Sequence, residues 1–542
     1  MQLRAALDRG VARDRVAAWM GEAYLDQGDT RKARKWLSGG RFTPDTAARG
    51  WRSVARLERI EGNLPAAGKA FDRALAITPD DPALWVEIGR LRYAGGQHLL
   101  ALDAADHALS LDPGSVRALQ FRGQLVRDRF GLLAAIPWFE RAIMRDPRDV
   151  PVLLDYAATL GELGRASEAL TVTRRVLELD EGNPTAYYLQ AVMAARAGNS
   201  ELARRLLERT KGKLDALPGV RMLHGILFLA SGNPSAASEA FEAVLRAKPD
   251  SLRARELLAR AIYMNGEYRY LTIRFAADIS NDEATPYLLT TIARGYEVLG
   301  ERLRAGELLD RAARPERAPL RVVGSTTRIG QLLAEGQAAK AEAAAESARK
   351  ADPGFYDNMA LAGDVQLALG NAQAAQARYA RAAEIRMPEN LFQRRYAAYL
   401  MAGDREGAAQ LVEGFLAQNP TSRIALRTAA SLAISRGDGM RARAILYWLR
   451  DTGDGRDVAL LSNLAIVDAR LGDAAGSLDA GQAAYRLQRS SALATQALGF
   501  GYAAFDARTA HAEALFDKAQ KLVGDSVLVV EGRAILAARR RG

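Results

Sequence analysis

Glycines recur along this chain at an almost constant interval, and this regularity limits the possible folds more than any other sequence feature. Fourteen of them are spaced by 33 to 36 residues, at Gly28, Gly62, Gly96, Gly131, Gly164, Gly198, Gly232, Gly266, Gly300, Gly336, Gly370, Gly403, Gly437 and Gly472. Prolines follow by 16 or 17 residues at Pro44, Pro79, Pro113, Pro147, Pro249, Pro353 and Pro420. Both residue types mark turns and helix ends, so the period predicts tandem copies of one small unit.

Between these turns the apolar residues are spaced for helices. In the unit from Asp81 to Pro113, Trp85, Ile88 and Gly89 share one face of a first helix. The inner face of a second helix follows the turn, at Leu102, Ala105, Ala108 and Leu109. Each unit is therefore predicted to be two helices joined by a tight turn.

Two positions in the unit are occupied by small residues. In the first helix they are Gly21, Ala55, Gly89, Gly123, Ala157 and Ala191. In the second helix they are Ala33, Ala67, Ala101, Ala135, Ala169 and Ala203. Where two helices cross closely, only glycine or alanine leaves room for the partner backbone, so these positions predict the helix crossings.

The order of small, aromatic, glycine and proline positions resembles the tetratricopeptide repeat. The pattern is clearest at Trp51, Ala55, Gly62, Ala67, Phe71, Ala74 and Pro79, and again at Gly225, Phe228, Gly232, Ala237, Phe241 and Pro249. The resemblance extends over roughly residues 14–524 and is to long arrays of bacterial type. It implies an all-α fold, a right-handed alpha solenoid of about 15 tandem helix-turn-helix repeats, and a binding or scaffolding role.

The register of the repeat predicts five segments. They are a partial helix of a truncated repeat at 1–13, repeats one to nine at 14–314, an irregular loop at 315–321, repeats ten to fifteen at 322–524 and a C-terminal capping helix at 525–542. The irregular loop is alternatively a boundary between two halves of the solenoid. Because an uncapped solenoid end exposes apolar surface, the partial first helix suggests that a longer natural protein begins upstream.

The residue content argues against catalysis. The chain has no cysteine and four histidines, and we find no phosphate-binding glycine loop, no paired metal-ligating histidines and no serine nucleophile motif. The predicted repeats also leave too few residues at either end for a separate catalytic domain. We therefore expect a protein that is not an enzyme and that has no cofactor and no metal site.

The first helices line the concave groove of a resembling array, and near the N terminus they are rich in arginine. Four arginines follow one another at steps of three or four, which places them in one row on a helix: Arg49, Arg52, Arg56 and Arg59. The next units continue the row with Arg90, Tyr93, Arg117, Gln120, Gln124 and Arg127. Guanidinium groups capture carboxylates and phosphates well, so this region favours an acidic ligand, unless it is only the solvated face of an arginine-rich protein.

The equivalent positions of the sixth and seventh units are apolar and aromatic instead. They are Tyr188, Val192, Met222, Ile226 and Leu229. Such a surface holds a helix or an extended apolar peptide, and core packing between tightly wound units explains the same residues. The sequence is compatible with both interpretations.

The leading interpretation is a protein-interaction scaffold that binds a protein or peptide segment in its groove. The alternative is a periplasmic or envelope component of a bacterial exopolysaccharide assembly or export system. Nucleic acid is disfavoured because aromatic residues make up only 7% and the 64 acidic residues offset much of the charge, which is +11 overall. No membrane span and no export signal are found, so the expected compartment is the cytoplasm, or the periplasm or envelope if the start is truncated.

Overall fold

The computed structural model describes residues 9–280, 284–313, 328–505 and 509–539. Within these ranges the secondary structure is helical, apart from one isolated antiparallel bridge between Gln97 and Phe355. The predicted loop at 315–321 lies outside the described residues, as do the first eight residues of the partial helix predicted at 1–13. None of the described helices is long and apolar enough to cross a membrane.

The described helices follow one another in tandem as alternating first and second helices. The helices of repeats one to eight are α1 (Arg13–Asp26), α2 (Thr30–Leu37), α3 (Ala47–Ile60), α4 (Leu64–Leu75), α5 (Pro82–Ala94), α6 (His98–Leu111), α7 (Val116–Phe130), α8 (Leu132–Arg145), α9 (Val150–Glu162), α10 (Ala166–Leu179), α11 (Pro184–Arg196), α12 (Ser200–Glu208), α13 (Pro218–Ala230), α14 (Pro234–Ala247), α15 (Leu252–Met264), α16 (Tyr268–Arg274) and α17 (Ala276–Ile279).

The remaining helices form repeats nine to fifteen and one further helix. They are α18 (Pro286–Val298), α19 (Arg302–Ala313), α20 (Arg328–Ala334), α21 (Ala338–Ala351), α22 (Tyr356–Ala368), α23 (Ala372–Ile385), α24 (Glu389–Met401), α25 (Arg405–Gln418), α26 (Arg423–Ser435), α27 (Gly439–Leu449), α28 (Val458–Arg470), α29 (Ala474–Leu487), α30 (Ala492–Phe505), α31 (Thr509–Val523) and α32 (Val527–Arg539). A short π-helical turn at Arg450–Asp454 continues α27. The predicted all-α solenoid of tandem helix pairs is confirmed.

The periodic glycines form the turns inside the repeats. Gly62 and Gly232 have φ values of +83° and +74°, in the left-handed region that glycine adopts without steric cost. The next residue then caps the second helix. The side chain of Asn233, for example, accepts a hydrogen bond from the backbone N–H of Ala236 at 3.2 Å, an interaction typically worth about 1 kcal/mol. The glycine thus allows the turn, and the following residue starts the next helix.

The small first-helix positions receive aromatic rings from the second helices. A Cβ atom added at Gly225 would lie 2.5 Å from the ring of Phe241, and one added at Gly363 would lie 2.4 Å from the ring of Tyr379. Both rings are completely buried. The crossing of the two helices therefore depends on a residue without a side chain facing a large ring.

Contacts divide the chain into two compact units. The first unit comprises Met1–Thr159 and Val322–Ala408. Within it, the two segments meet at the α5–α6 turn and at the end of α7. Gln97 bridges to Phe355, the backbone N–H of Met387 donates to the carbonyl of Asp128 at 3.1 Å, and the side chains of Arg386 and Asp128 pair at 3.5 Å.

The second unit comprises Leu160–Arg321 and Ala409–Gly542. Its largest apolar cluster is formed by α14, α15, α16, α18 and α19 and includes Phe241 and Phe275. Near the C terminus, Val529 and Leu536 of α32 are buried in a cluster with Phe516 of α31. The side chain of Thr421 donates to the carbonyl of Glu162, so the two segments of this unit also meet.

Candidate partner-binding groove

The predicted arginine row lies on α3 in the first unit, where the four side chains are between 17% and 33% exposed. Arg49 pairs with Glu22, and its guanidinium lies 3.7 Å from the centre of the Trp19 ring. Arg52 reaches two acids, with Glu22 at 3.2 Å and Asp81 at 3.3 Å. Half of the row is therefore held by carboxylates of neighbouring repeats.

The other half of the row is paired in the same way. Arg56 pairs with Asp26 at 3.0 Å, and Arg59 with Glu87 at 3.7 Å. Together the four arginines face four acids, which belong to α1, to α5 and to the residue that caps α5. The row thus presents guanidinium groups that are already charge-paired, and it adds little surplus positive charge to the groove.

Arg90, on α5, is held differently. Burial lowers the pKa of its guanidinium; Arg59 and Arg117 add to this effect, while Glu87 and Asp155 oppose it. Its buried Nε has no hydrogen-bond partner among the described residues, and its guanidinium carbon lies 5.8 Å from the Phe121 ring centre. A partly buried cation whose buried Nε lacks an acceptor carries an energetic cost that an added acceptor relieves.

Arg117 begins the same face of α7 and is exposed. No ion pair joins it to another described residue. Two groups on the same helix are bonded instead: Gln120 and Gln124 both donate to Asp155, at 2.6 and 2.7 Å. Arg117 is therefore an exposed cation on α7 that has no ion pair within the described part of the chain.

Two further predicted residues are bonded to neighbouring groups. Arg127 donates to the hydroxyl of Thr159 at 3.4 Å. Tyr93 donates to Asp128, and burial together with this hydrogen bond and the Asp128 charge raises the pKa of Tyr93 to about 12. Tyr93 therefore stays protonated and keeps donating at neutral pH.

Four of the five apolar positions of the second unit are partly buried against its core clusters. Tyr188 and Val192 pack against the cluster of α11, α12 and α13, while Met222 and Leu229 pack against the cluster that includes Phe241. Ile226 is 42% exposed. Of these five residues, Ile226 is thus the one that presents a substantial apolar surface to solvent.

The acids opposite the arginines are the residues that sequence reasoning missed. They lie 27 to 30 positions from the arginines they pair with. That separation equals the length of one repeat minus one or two helical turns. The positions of the paired acids can therefore be predicted from the repeat register. A search for acids at this offset would have found Glu22, Asp26 and Asp81.

Comparison with known proteins supports the repeat assignment. A family model described as tetratricopeptide repeat matches residues 20–82, 157–218 and 222–268. Among curated proteins, the CTR9 homologue of Arabidopsis thaliana is 24% identical over 256 residues, a match that covers 46% of this chain and 23% of that protein. The matched part is thus less than a quarter of that relative's length.

Similar solved structures include the human IFIT1 dimer with m7Gppp-AAAA, at 16% identity and a TM-score of 0.38, covering 67% of this chain and 88% of that one. The APC/C hetero-tetramer Cut9–Hcn1 is similar at 12% identity and a TM-score of 0.35, covering 99% of this chain and 98% of that one. The Pseudomonas aeruginosa pilF structure covers 40% of this chain and 99% of its own, at 18% identity and a TM-score of 0.33.

The family match agrees with the features of the chain itself, namely the periodic left-handed glycines, the tandem helix pairs and the aromatic rings packed on small first-helix residues. On these grounds the chain contains tetratricopeptide repeats, over the three stretches that the family model matches.

Proposed function

We propose that this protein is a non-catalytic interaction scaffold that binds an extended segment of a partner protein along the first helices α3, α5 and α7. Tetratricopeptide repeats are interaction modules, and a ladder of charge-paired side chains across these helices offers many polar contacts. The observation that carries the proposal is the pair of under-bonded cations, Arg90 and Arg117, beside the compensated row.

These two cations make acidic partner side chains the preferred ligands. A carboxylate placed between them would accept hydrogen bonds from Arg90 and balance the charge of Arg117. Charge-assisted hydrogen bonds of this kind are about twice as strong as neutral ones. The α3 row contributes less, since any partner carboxylate there must compete with Glu22 and Asp26 for the same guanidinium groups.

The proposal is tested with fluorescent acidic peptides and length-matched basic peptides, titrated against the full chain at low and high salt. We expect the acidic peptides to bind more tightly, with affinity that falls as salt rises. Arg117→Glu should weaken acidic-peptide binding by about tenfold. The matched control is Arg253→Glu on α15, whose side chain is 63% exposed and lies in the second unit.

Equal binding of acidic and basic peptides would remove the acidic preference. If Arg117→Glu and Arg253→Glu bind the acidic peptides with the same affinity, the assignment of the binding site to the groove is wrong. The same two variants then serve for partner capture from the native host, followed by binding measurements on each purified partner.

A further inference from the structure

A cavity of about 470 Å³ lies in the first unit and is lined by four arginines. Arg129 comes from the end of α7, Arg349 from α21, and Arg378 and Arg381 from α23. The other walls are mostly apolar, formed by Leu99, Pro353, Met359 and Ile385. The cavity therefore combines a cluster of guanidinium groups with an apolar surface, and its size falls within the usual range of small-molecule sites.

The acids near the cavity do not balance these arginines. Glu346 pairs with both Arg349, whose Nε lies at 2.8 Å, and Arg378, at 3.4 Å. Glu384 lies 3.9 Å from Arg381. Among the ion pairs of the described residues, these four cations therefore share two carboxylates, which is an excess of two positive charges within this set.

Arg129 is the least compensated of the four. It has no ion pair with a described residue, and its buried Nε lacks a hydrogen-bond partner there. The contact the structure gives it is with its neighbour, its guanidinium carbon lying 4.8 Å from the Phe130 ring centre. An anion in the cavity would supply the acceptor that this group lacks.

We propose that this cavity binds a phosphate monoester carried on an apolar stem. Such a phosphate carries a charge close to −2 at neutral pH, which matches the surplus around the cavity, whereas a single carboxylate would balance half of it. Guanidinium groups bind phosphate oxygens through paired hydrogen bonds. The apolar walls then cover the stem. A free phosphate ion would leave this apolar part of the cavity empty.

The site also joins distant parts of the first unit. Leu99 and Arg129 belong to repeats three and four, while the other lining residues belong to repeats ten and eleven. A bound phosphate ester would contact both segments and stabilise their association. This inference is separate from the proposed groove: Arg129 lies at the end of α7, but none of the residues predicted for the groove lines the cavity.

Isothermal titration of the full chain with three probes tests the chemistry. Phenyl phosphate has both the dianion and the stem, inorganic phosphate has the charge alone, and benzoate has a ring with a single charge. We expect phenyl phosphate to bind at least about tenfold more tightly than either of the others. Equal binding of benzoate and phenyl phosphate, or no binding of phenyl phosphate at low salt, would overturn the proposal.

Variants place the binding in the cavity. Arg129→Ala and Arg381→Ala should each weaken phenyl phosphate binding by about tenfold, while Arg253→Ala should leave it unchanged. Arg381 is 72% exposed, so its truncation keeps the test valid even if Arg129→Ala disturbs folding. The proposal is wrong if Arg381→Ala and Arg253→Ala bind phenyl phosphate equally well.

A peptide containing phosphotyrosine identifies the source of the phosphate. Binding tighter than that of phenyl phosphate assigns the site to a phosphorylated protein side chain. Exclusion of the peptide, with phenyl phosphate still bound, assigns it to a small phosphate ester.

In either case hydrogen exchange should slow around residues 98–130 and 349–386 when the ligand is bound, and unchanged exchange there would contradict the predicted bridging of the two segments.

Discussion

At the scale of single residues, Asp364 on α22 is an acid enclosed by the core of the first unit. Its side chain accepts a hydrogen bond from the Tyr379 hydroxyl at 2.8 Å and pairs with Arg394 at 3.2 Å, while the residue is only 3% exposed. Burial raises the pKa of Asp364 from 3.8 to about 6, against the opposing effects of Arg394 and of the Tyr379 hydrogen bond. Desolvation of the charged form thus exceeds the stabilisation from its two partners.

This raised pKa predicts a pH-dependent stability. Because the folded protein binds a proton more tightly than the unfolded chain, Asp364 contributes stability below about pH 4 that is lost as the pH rises through about 6. Asp364→Asn removes this dependence, so the variant should gain up to about 3 kcal/mol relative to wild type over that interval. Hydrogen exchange of the α22 amides measures the effect.

The exposed Asp357 on the same helix provides the control for this substitution. Asp357→Asn makes the same change of charge and should leave the pH profile of α22 close to that of wild type. An identical profile for Asp364→Asn and the wild type would show that Asp364 has an ordinary pKa in the folded protein.

Glu22 gives a second prediction at this scale, because it holds both Arg49 and Arg52. Glu22→Gln leaves these guanidinium groups with one acid fewer and makes them available to a ligand. Acidic peptides should then bind about fivefold more tightly, an effect of about 1 kcal/mol. Glu201→Gln, at an exposed acid in the second unit, is the matched control in the same titration, and an equal gain in the two variants would point to net charge alone.

The arginine row itself could be predicted from sequence, because steps of three and four place residues on one helix face. Its pairing could not be read from α3 alone, because Glu22 and Asp26 face it from another repeat. Their contacts depend on how adjacent first helices are offset along their axes, which is set by packing. Similarly, the missing hydrogen-bond acceptor of Arg90 Nε among the described residues becomes visible only when the neighbouring helices are in place.

At the scale of helices, each repeat depends on the fit between a small first-helix residue and a second-helix ring. Gly225 on α13 faces Phe241 on α14, and Phe241 is completely buried among α14, α15 and neighbouring helices. The ring therefore has little freedom to move away from an added methyl group. The sequence pattern predicted this crossing, because small residues recur at one position of the repeat.

Gly225→Ala should therefore destabilise the α13–α14 pair by about 1–3 kcal/mol through overpacking. Gly68→Ala on α4 is the matched control, since a Cβ there meets no atom within 4 Å. It should stabilise its helix by about 0.5–1 kcal/mol, because alanine loses less backbone entropy than glycine in a helix. Hydrogen exchange of the two helix pairs gives both values, and destabilisation of similar size in the two variants would contradict the packing argument.

At the scale of the whole chain, the period of the sequence was enough to predict the class of fold but not its longer-range contacts. The 34-residue spacing predicts the packing between neighbouring repeats. The bridge between Gln97 and Phe355 joins residues more than seven repeats apart, and nothing in the local pattern marks it. Such contacts depend on the accumulated rotation of successive repeats, which no single repeat specifies.

These contacts determine how far a local defect should spread. Gly232 has a φ of +74° and donates its backbone N–H to the carbonyl of Leu229 at 3.2 Å. Gly232→Pro is incompatible with both, since proline fixes φ near −65° and has no N–H. Nearest-neighbour stabilisation then predicts faster hydrogen exchange in α13, α14 and the adjoining repeats of the second unit, with the first unit still protected. Gly232→Ala, which keeps the donor, should have a smaller effect, and loss of protection throughout both units would show that the chain unfolds as one cooperative body.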